Sequence, residues 1–331
     1  MFFTLILMTG SMISISSNSL MGMWMGLEIN LLAFIPLIQI KNNSFSSESS
    51  LKYFLSQALA STIFLFSIII LSKNFLMVKN IENLVLMMFN SALLMKMGMA
   101  PFHFWFPEVI EGLSWLNSLI LLTWQKITPM VLVMYNLNFQ YFFFIIIIFS
   151  MIISSIMGIN QVSLRKILAY SSINHMAWMI SAMFFSETIW FYYLIIYFIL
   201  TLNIWFLLMN FNIFFMNQLI ISLKNNFLLK IIFSFNFLSL GGLPPFLGFF
   251  PKWLTIQYMI NSNWMMLSFF MILITLFTLF YYMRLIFNIL ILNYDNLNYL
   301  MNINYKNFLI FSFNIFTLLS LFLFSMALNF I

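Results

Sequence analysis

Long apolar runs separated by short polar breaks make up nearly the whole chain. A helix needs about 20 apolar residues to cross the hydrocarbon core of a bilayer. Reading for such runs places eleven spans, near 2–19, 22–40, 51–72, 82–100, 113–135, 139–158, 164–185, 188–210, 228–260, 264–290 and 306–328. The ninth is too long for one straight crossing and is expected to be interrupted. These are continuous apolar runs, not the short alternating strands of a transmembrane β-barrel. The expected fold class is therefore an all-α polytopic membrane protein with about eleven transmembrane helices. The first span has no basic segment before it and no small-residue cleavage site, so it is expected to be a permanent helix.

Composition sharpens this picture. Hydrophobic residues make up 64% of the 331 residues and charged residues 6%. Soluble domains carry roughly a quarter charged residues, so a soluble enzyme, a nucleic-acid binder and a disordered protein are excluded. The net charge of +6 comes from 13 Lys and Arg scattered singly, with no basic run for nucleic acid. Cysteine is absent, which removes disulfides, thiolate metal sites and iron–sulfur ligation. His103 and His175 are too few for a haem pair, so any redox cofactor is expected on another chain. Phe (44) and Met (28) are in excess while Gly (9) and Pro (7) are scarce. This suits an A/T-rich genome in which ATA reads as Met, as in animal mitochondria.

Gly and Pro punctuate membrane helices, and two clusters stand out. One is Gly98-Met99-Ala100-Pro101, running on to Pro107; the other is Gly241-Gly242-Leu243-Pro244-Pro245, continuing to Gly248 and Pro251. They fall on spans four and nine, an odd offset, so the two spans run in opposite directions. Paired interrupted helices in two inverted halves point to a transport pathway.

Four charges fall away from simple loop positions: Glu28 in span two, Lys96 in span four, Lys126 in span five and Lys252 beside the break of span nine. Each deep charge costs roughly 2.5–3.5 kcal/mol on an insertion scale, so four oppose insertion by on the order of 10 kcal/mol. Lys126 lies mid-span, where it cannot easily reach either interface, and reads as functional. Lys96 could instead snorkel from a helix end, Glu28 could form a structural ion pair one turn inside its helix, and Lys252 could cap the break. Pro129 leaves the carbonyl of Gln125 without its helical donor, and Pro36 does the same for Leu32. In span seven Ser171, Asn174, His175 and Trp178 share one helix face. That stripe serves either interhelical hydrogen bonding or a hydrated relay in which His175 carries a proton. A buried Lys responds strongly to an approaching carboxylate, so a Glu28–Lys96 pair could hold or release a proton as the two separate.

Orientation follows the Lys/Arg bias of the loops. Even-numbered loops and their edges hold Lys41, Lys52, Arg165, Lys166, Lys224, Lys230 and Lys306; odd-numbered loops hold Lys73 and Lys79. The N-terminus is expected on the positive-inside face and the C-terminus opposite.

Five segments carry a family resemblance. They are Gly26-Leu27-Glu28-Ile29-Asn30, the run from Lys96 to Trp105, Thr123-Trp124-Gln125-Lys126-Ile127-Thr128-Pro129, the run from Leu164 to His175, and the run from Gly241 to Trp253. In this order they resemble the antiporter-like membrane subunits of respiratory complex I, over essentially the whole chain. The resemblance implies inverted five-helix repeats, each with a broken helix. The first repeat would cover about 1–135, truncated at its N-terminal side; the second about 139–290, followed by a C-terminal helix at about 306–328. It implies a proton relay with Glu28 and Lys96 as a carboxylate–lysine pair and Lys126 at the centre. Lys252 would lie near the exit, and His175 in the connecting polar axis. It also implies proton translocation coupled to NADH:ubiquinone electron transfer on other subunits. FMN, iron–sulfur clusters and ubiquinone would lie on those subunits, and no cofactor on this chain. Partners would be the other membrane and peripheral-arm subunits and membrane lipids, in the mitochondrial inner membrane, with the N-terminus on the matrix side. Two other readings stay open: a stand-alone cation/proton antiporter subunit, and a structural membrane subunit whose buried charges are assembly contacts.

Overall fold

The computed structural model describes residues 2–39, 43–72, 79–223, 227–291 and 314. Among them are fourteen helices. Contacts divide the chain into two compact units, Met1–Ser150 and Met151–Ile331. Among the described residues, six helical stretches are long and apolar enough to cross a membrane: Leu20–Ile38, Ser44–Ser72, Trp115–Met134, Gln140–Ile159, Glu187–Asn210 and Met265–Ile291. The protein is an all-helical membrane protein, as the apolar runs require. In lipid every backbone polar group must be satisfied within the segment, and a helix does this.

The first unit starts with α1 (Phe2–Ser16) and α2 (Leu20–Ile38), joined by a tight turn in which the Ser19 side chain accepts from the Gly22 amide. These two helices meet through small residues. A Cβ on Gly26 would lie 2.6 Å from the Ser14 nitrogen and 2.8 Å from the Gly10 carbonyl oxygen. Apolar burial gives helices no hydrophobic drive in lipid, so close backbone approach through small residues is how they associate. α3 (Ser44–Ser72) packs against α2, α4 (Lys79–Met97) and α5 (Trp105–Gly112). Then come α6 (Trp115–Leu122) and α7 (Trp124–Met134), with a break at Thr123. α8 (Gln140–Ile159) runs across the residue at which the units divide.

In the second unit, α9 (Leu164–Met183) is buried along almost all of its length. α10 (Glu187–Asn210) and α13 (Phe249–Asn261) pack on it. α11 (Met216–Leu223), α12 (Phe227–Gly241) and α14 (Met265–Ile291) complete the unit, with α12 against α14 and α10.

Several expectations shift. Glu28 lies in the middle of α2 rather than one turn inside it. Span four ends at Met97, and span five divides at Thr123. Span three starts earlier, at Ser44, so Lys52 stands within α3. Lys230, read as a loop-edge residue, is in α12 and buried. Lys41, Lys73, Lys224, Lys306 and, apart from Asn314, the span at 306–328 lie outside the described residues.

Candidate functional site

The two proline clusters build the same local structure. α4 ends at Met97, and Gly98 follows with φ 72°. The Gly98 amide donates to the Met95 carbonyl and the Met99 amide to the Leu94 carbonyl. α12 ends at Gly241, and Gly242 follows with φ 78°. Its amide donates to the Ser239 carbonyl, and that of Leu243 to the Leu238 carbonyl. Both are left-handed glycine caps that satisfy the last carbonyls of a helix. After each cap the chain crosses a proline turn and resumes as a helix at Trp105 or Phe249. The two segments share Gly, Pro, Phe, Phe and Pro at equal spacing: Gly98, Pro101, Phe102, Phe106 and Pro107 against Gly242, Pro245, Phe246, Phe250 and Pro251.

Each cap leaves a helix C-terminus in the interior, and each such end holds a lysine. The carbonyl end of a helix carries partial negative charge and favours a cation. Lys96 lies in the last turn of α4. The carbonyls around it are met by side chains: Gln57 Nε2 donates to the Lys96 carbonyl at 3.4 Å and Trp105 Nε1 to that of Met95 at 3.1 Å. Lys252 reaches the other end from α13, its Nζ donating to the Gly241 carbonyl at 2.8 Å.

The Thr123 break positions the third lysine. Pro129 has no amide hydrogen, and its ring clashes with the carbonyl one turn before it. The Lys126 amide turns back to the Thr123 carbonyl at 3.2 Å, a tighter turn than an α-helix makes. Lys126 is 3% exposed, with its Nζ 5.0 Å from the centre of the Phe106 ring. That contact is within the range of a cation–π attraction.

Lys96 and Lys126 line one cavity. Its other polar lining is Asn30, Tyr53, Gln57, Gln125 and Thr128. It offers about 20 Å³ to the centres of water-sized molecules. That exceeds the roughly 10–15 Å³ one water needs, and the walls supply hydrogen-bond partners. Glu28 is half-buried and does not line this cavity, although its charge acts on both Lys96 and Tyr53. Among the described residues, ion pairs form at Lys52, which holds Glu48 and Glu108 at 2.8 Å each; Glu28 and Lys96 form none.

In the second unit the α9 stripe is buried throughout. His175 Nδ1 is 3.0 Å from the Tyr193 hydroxyl, and Asn174 Nδ2 donates to Thr278 Oγ1 at 3.4 Å. The Trp178 ring centre lies 6.0 Å from Lys252 Nζ. Tyr53 and Gln57, which line the cavity, and Tyr193 and Thr278, which meet the α9 stripe, were not singled out by sequence reading. Polar side chains inside apolar runs are the signal that could have found them.

The family described as NADH:quinone oxidoreductase/Mrp antiporter, TM, matches residues 17–278. The chain belongs to this family. NADH-ubiquinone oxidoreductase chain 2 of Anopheles gambiae is 49% identical over 309 residues, covering 92% of this chain and 90% of that protein. A chain of respiratory complex I from Thermus thermophilus superposes with a TM-score of 0.87 at 21% identity, covering 99% of this chain and 78% of that one. A chain of the Mrp complex from Dietzia sp. DQ12-45-1b gives 0.76 at 15% identity, covering 88% of this chain and 60% of that one. The fold is thus the antiporter-like fold, matched along nearly the whole chain.

Proposed function

We propose that this chain is a core membrane subunit of respiratory complex I, and that it translocates protons across the mitochondrial inner membrane. The observation that carries the proton reading is that Lys96 and Lys126 wall one polar cavity, with Glu28 acting on Lys96 from outside it. The 49% identity to an insect NADH-ubiquinone oxidoreductase chain 2 supports placing it in complex I rather than in a stand-alone antiporter. The electron carriers FMN, the iron–sulfur clusters and ubiquinone belong to other subunits, which are its partners together with membrane lipids. The subunit supplies the proton step of NADH:ubiquinone reductase and no redox centre.

The mechanism follows from burial. With Glu28 near, Lys96 holds its proton at the C-terminal end of α4. As Glu28 withdraws, the low dielectric disfavours the ammonium. The Lys96 ammonium then gives its proton through cavity water to Lys126, which receives it as an amine and holds it as a buried ammonium before passing it on. His175 and Lys252 have the corresponding work in the second unit, where the Gly241 carbonyl seats the Lys252 ammonium. The shared Gly-Pro-Phe-Phe-Pro pattern supports two repeats, and the odd offset of spans four and nine among about eleven crossings supports their inversion; the Lys/Arg bias of the loops supports an N-terminus on the matrix side.

Native membranes solubilised in mild detergent and separated on a native gel test the assignment. Co-migration of the chain with NADH dehydrogenase activity is expected. Migration apart from it, together with sodium-dependent proton exchange, would establish the stand-alone antiporter instead.

A further inference from the structure

Three consecutive residues after the Thr123 break reach three different helices. Trp124 Nε1 donates to Ser11 Oγ of α1 at 3.1 Å. Gln125 Nε2 donates to Asn30 Oδ1 of α2 at 2.8 Å. Lys126 lies over the Phe106 ring of α5. The start of α7 is therefore held by side-chain bonds where its backbone is interrupted. Asn30 is 3% exposed, and both Asn30 and Gln125 line the cavity of Lys96 and Lys126.

From this geometry we propose that Asn30 and Gln125 are positioning residues for proton transfer between Lys96 and Lys126. The pair has two tasks. It fixes the residue next to Lys126 to the helix that carries Glu28, two positions before Asn30. A movement of α2 is therefore felt at Lys126 as well as at Lys96. It also presents amide groups to the cavity. The bond uses one Gln125 N–H and one Asn30 carbonyl oxygen, and an amide has two donors and an acceptor with two lone pairs. The remaining Asn30 N–H groups and the Gln125 oxygen are there to orient a water that must accept from one lysine and donate to the other. This inference rests on the relay assigned above to Lys96 and Lys126.

The test uses the assembled complex in coupled membrane vesicles. NADH-driven proton uptake and electron transfer are both measured per assembled complex on a native gel. Asn30→Leu and Gln125→Leu are expected to slow coupled turnover about tenfold, the scale of one hydrogen bond to a charged or charge-relaying group. Asn30→Gln and Gln125→Asn are each expected to be impaired, because the bridge becomes one methylene too long or too short. The double swap Asn30→Gln/Gln125→Asn restores the total length and is expected to restore turnover, which keeps the test decisive if a leucine variant fails to assemble. A purely structural pair would change the amount of complex and leave protons pumped per NADH and the pH profile of turnover unaltered. Normal turnover in the single swaps, or no recovery in the double swap, would overturn the proposal. Lys126→Ala is run beside them. Normal pumping there refutes the relay itself, whereas lost pumping with normal swap variants refutes only the positioning role.

Discussion

Lys252 sits against Gly242: a Cβ on that glycine would lie 2.7 Å from Lys252 Cδ and 2.8 Å from its Nζ. The lysine reaches the Gly241 carbonyl only because position 242 has no side chain. The glycine also adopts φ 78°, which costs an L residue about 1–2 kcal/mol. Gly242→Ala is expected to displace the ammonium from the helix end and to lower proton pumping to the level of Lys252→Ala. The double variant should be no worse than either single one, since both remove the same seat. Fully additive losses in pumping per assembled complex would mean that the glycine and the lysine act independently.

Lys126→Met removes a buried charge and keeps most of the volume. Burying an ammonium opposes folding, and replacing it by an apolar side chain is often neutral or stabilising. Assembly is therefore expected to be unchanged or improved while NADH-driven pumping is lost. A residue whose removal stabilises the protein and abolishes its work is retained for that work. Equal pumping in wild type and variant, measured as protons per NADH, would remove Lys126 from the relay.

Glu28→Gln tests the acid that acts without contact. Glu28 is half-buried and forms no ion pair with Lys96, so the amide should be tolerated structurally. Pumping is expected to fall about tenfold or more, the change produced by about 1.4 kcal/mol of lost charge–charge interaction. Undiminished pumping would assign the trigger elsewhere. Glu28→Asp, which keeps the charge on a shorter side chain, is expected to fall between wild type and Gln.

What was legible follows from what hydropathy measures. Apolar runs located α2, α8, α10 and α14 to within a few residues. The start of α3 was missed because Ser44-Phe45-Ser46-Ser47-Glu48-Ser49-Ser50 reads as a polar loop. Ser46, Ser49 and Ser50 are nevertheless buried, with hydroxyls returned to carbonyls one turn back. α5 and α11, with eight residues each, are too short to register as crossings. The Thr123 break has no glycine to announce it; its nearest signal is Pro129, six residues on. The glycine caps were readable as punctuation, and the buried lysines as an insertion cost. The cavity was not readable, because it is made by Asn30, Gln57 and Gln125 arriving from three helices, and a single sequence carries no contact between them.

The Lys52 cluster supports the last prediction. Its Nζ holds Glu48 of the same helix and Glu108 of α5, and α5 lies so close to the start of α3 that a Cβ on Gly112 would meet the Phe45 carbonyl oxygen at 2.6 Å. α5 carries Trp105 and Phe106, which wall the lysine cavity. The ion pair is thus an outer clasp on an inner wall. Lys52 and Glu108 are 40% and 55% exposed, so the clasp is worth about 1 kcal/mol or less, and salt screens it. Lys52→Met leaves two carboxylates side by side and is expected to lower the melting temperature in detergent by about a degree at low salt and by less at high salt. Adding Glu108→Gln to Lys52→Met should recover part of the loss by removing one of the two like charges. A loss of the same size at every salt concentration would show that the lysine acts through its apolar stem, not its charge.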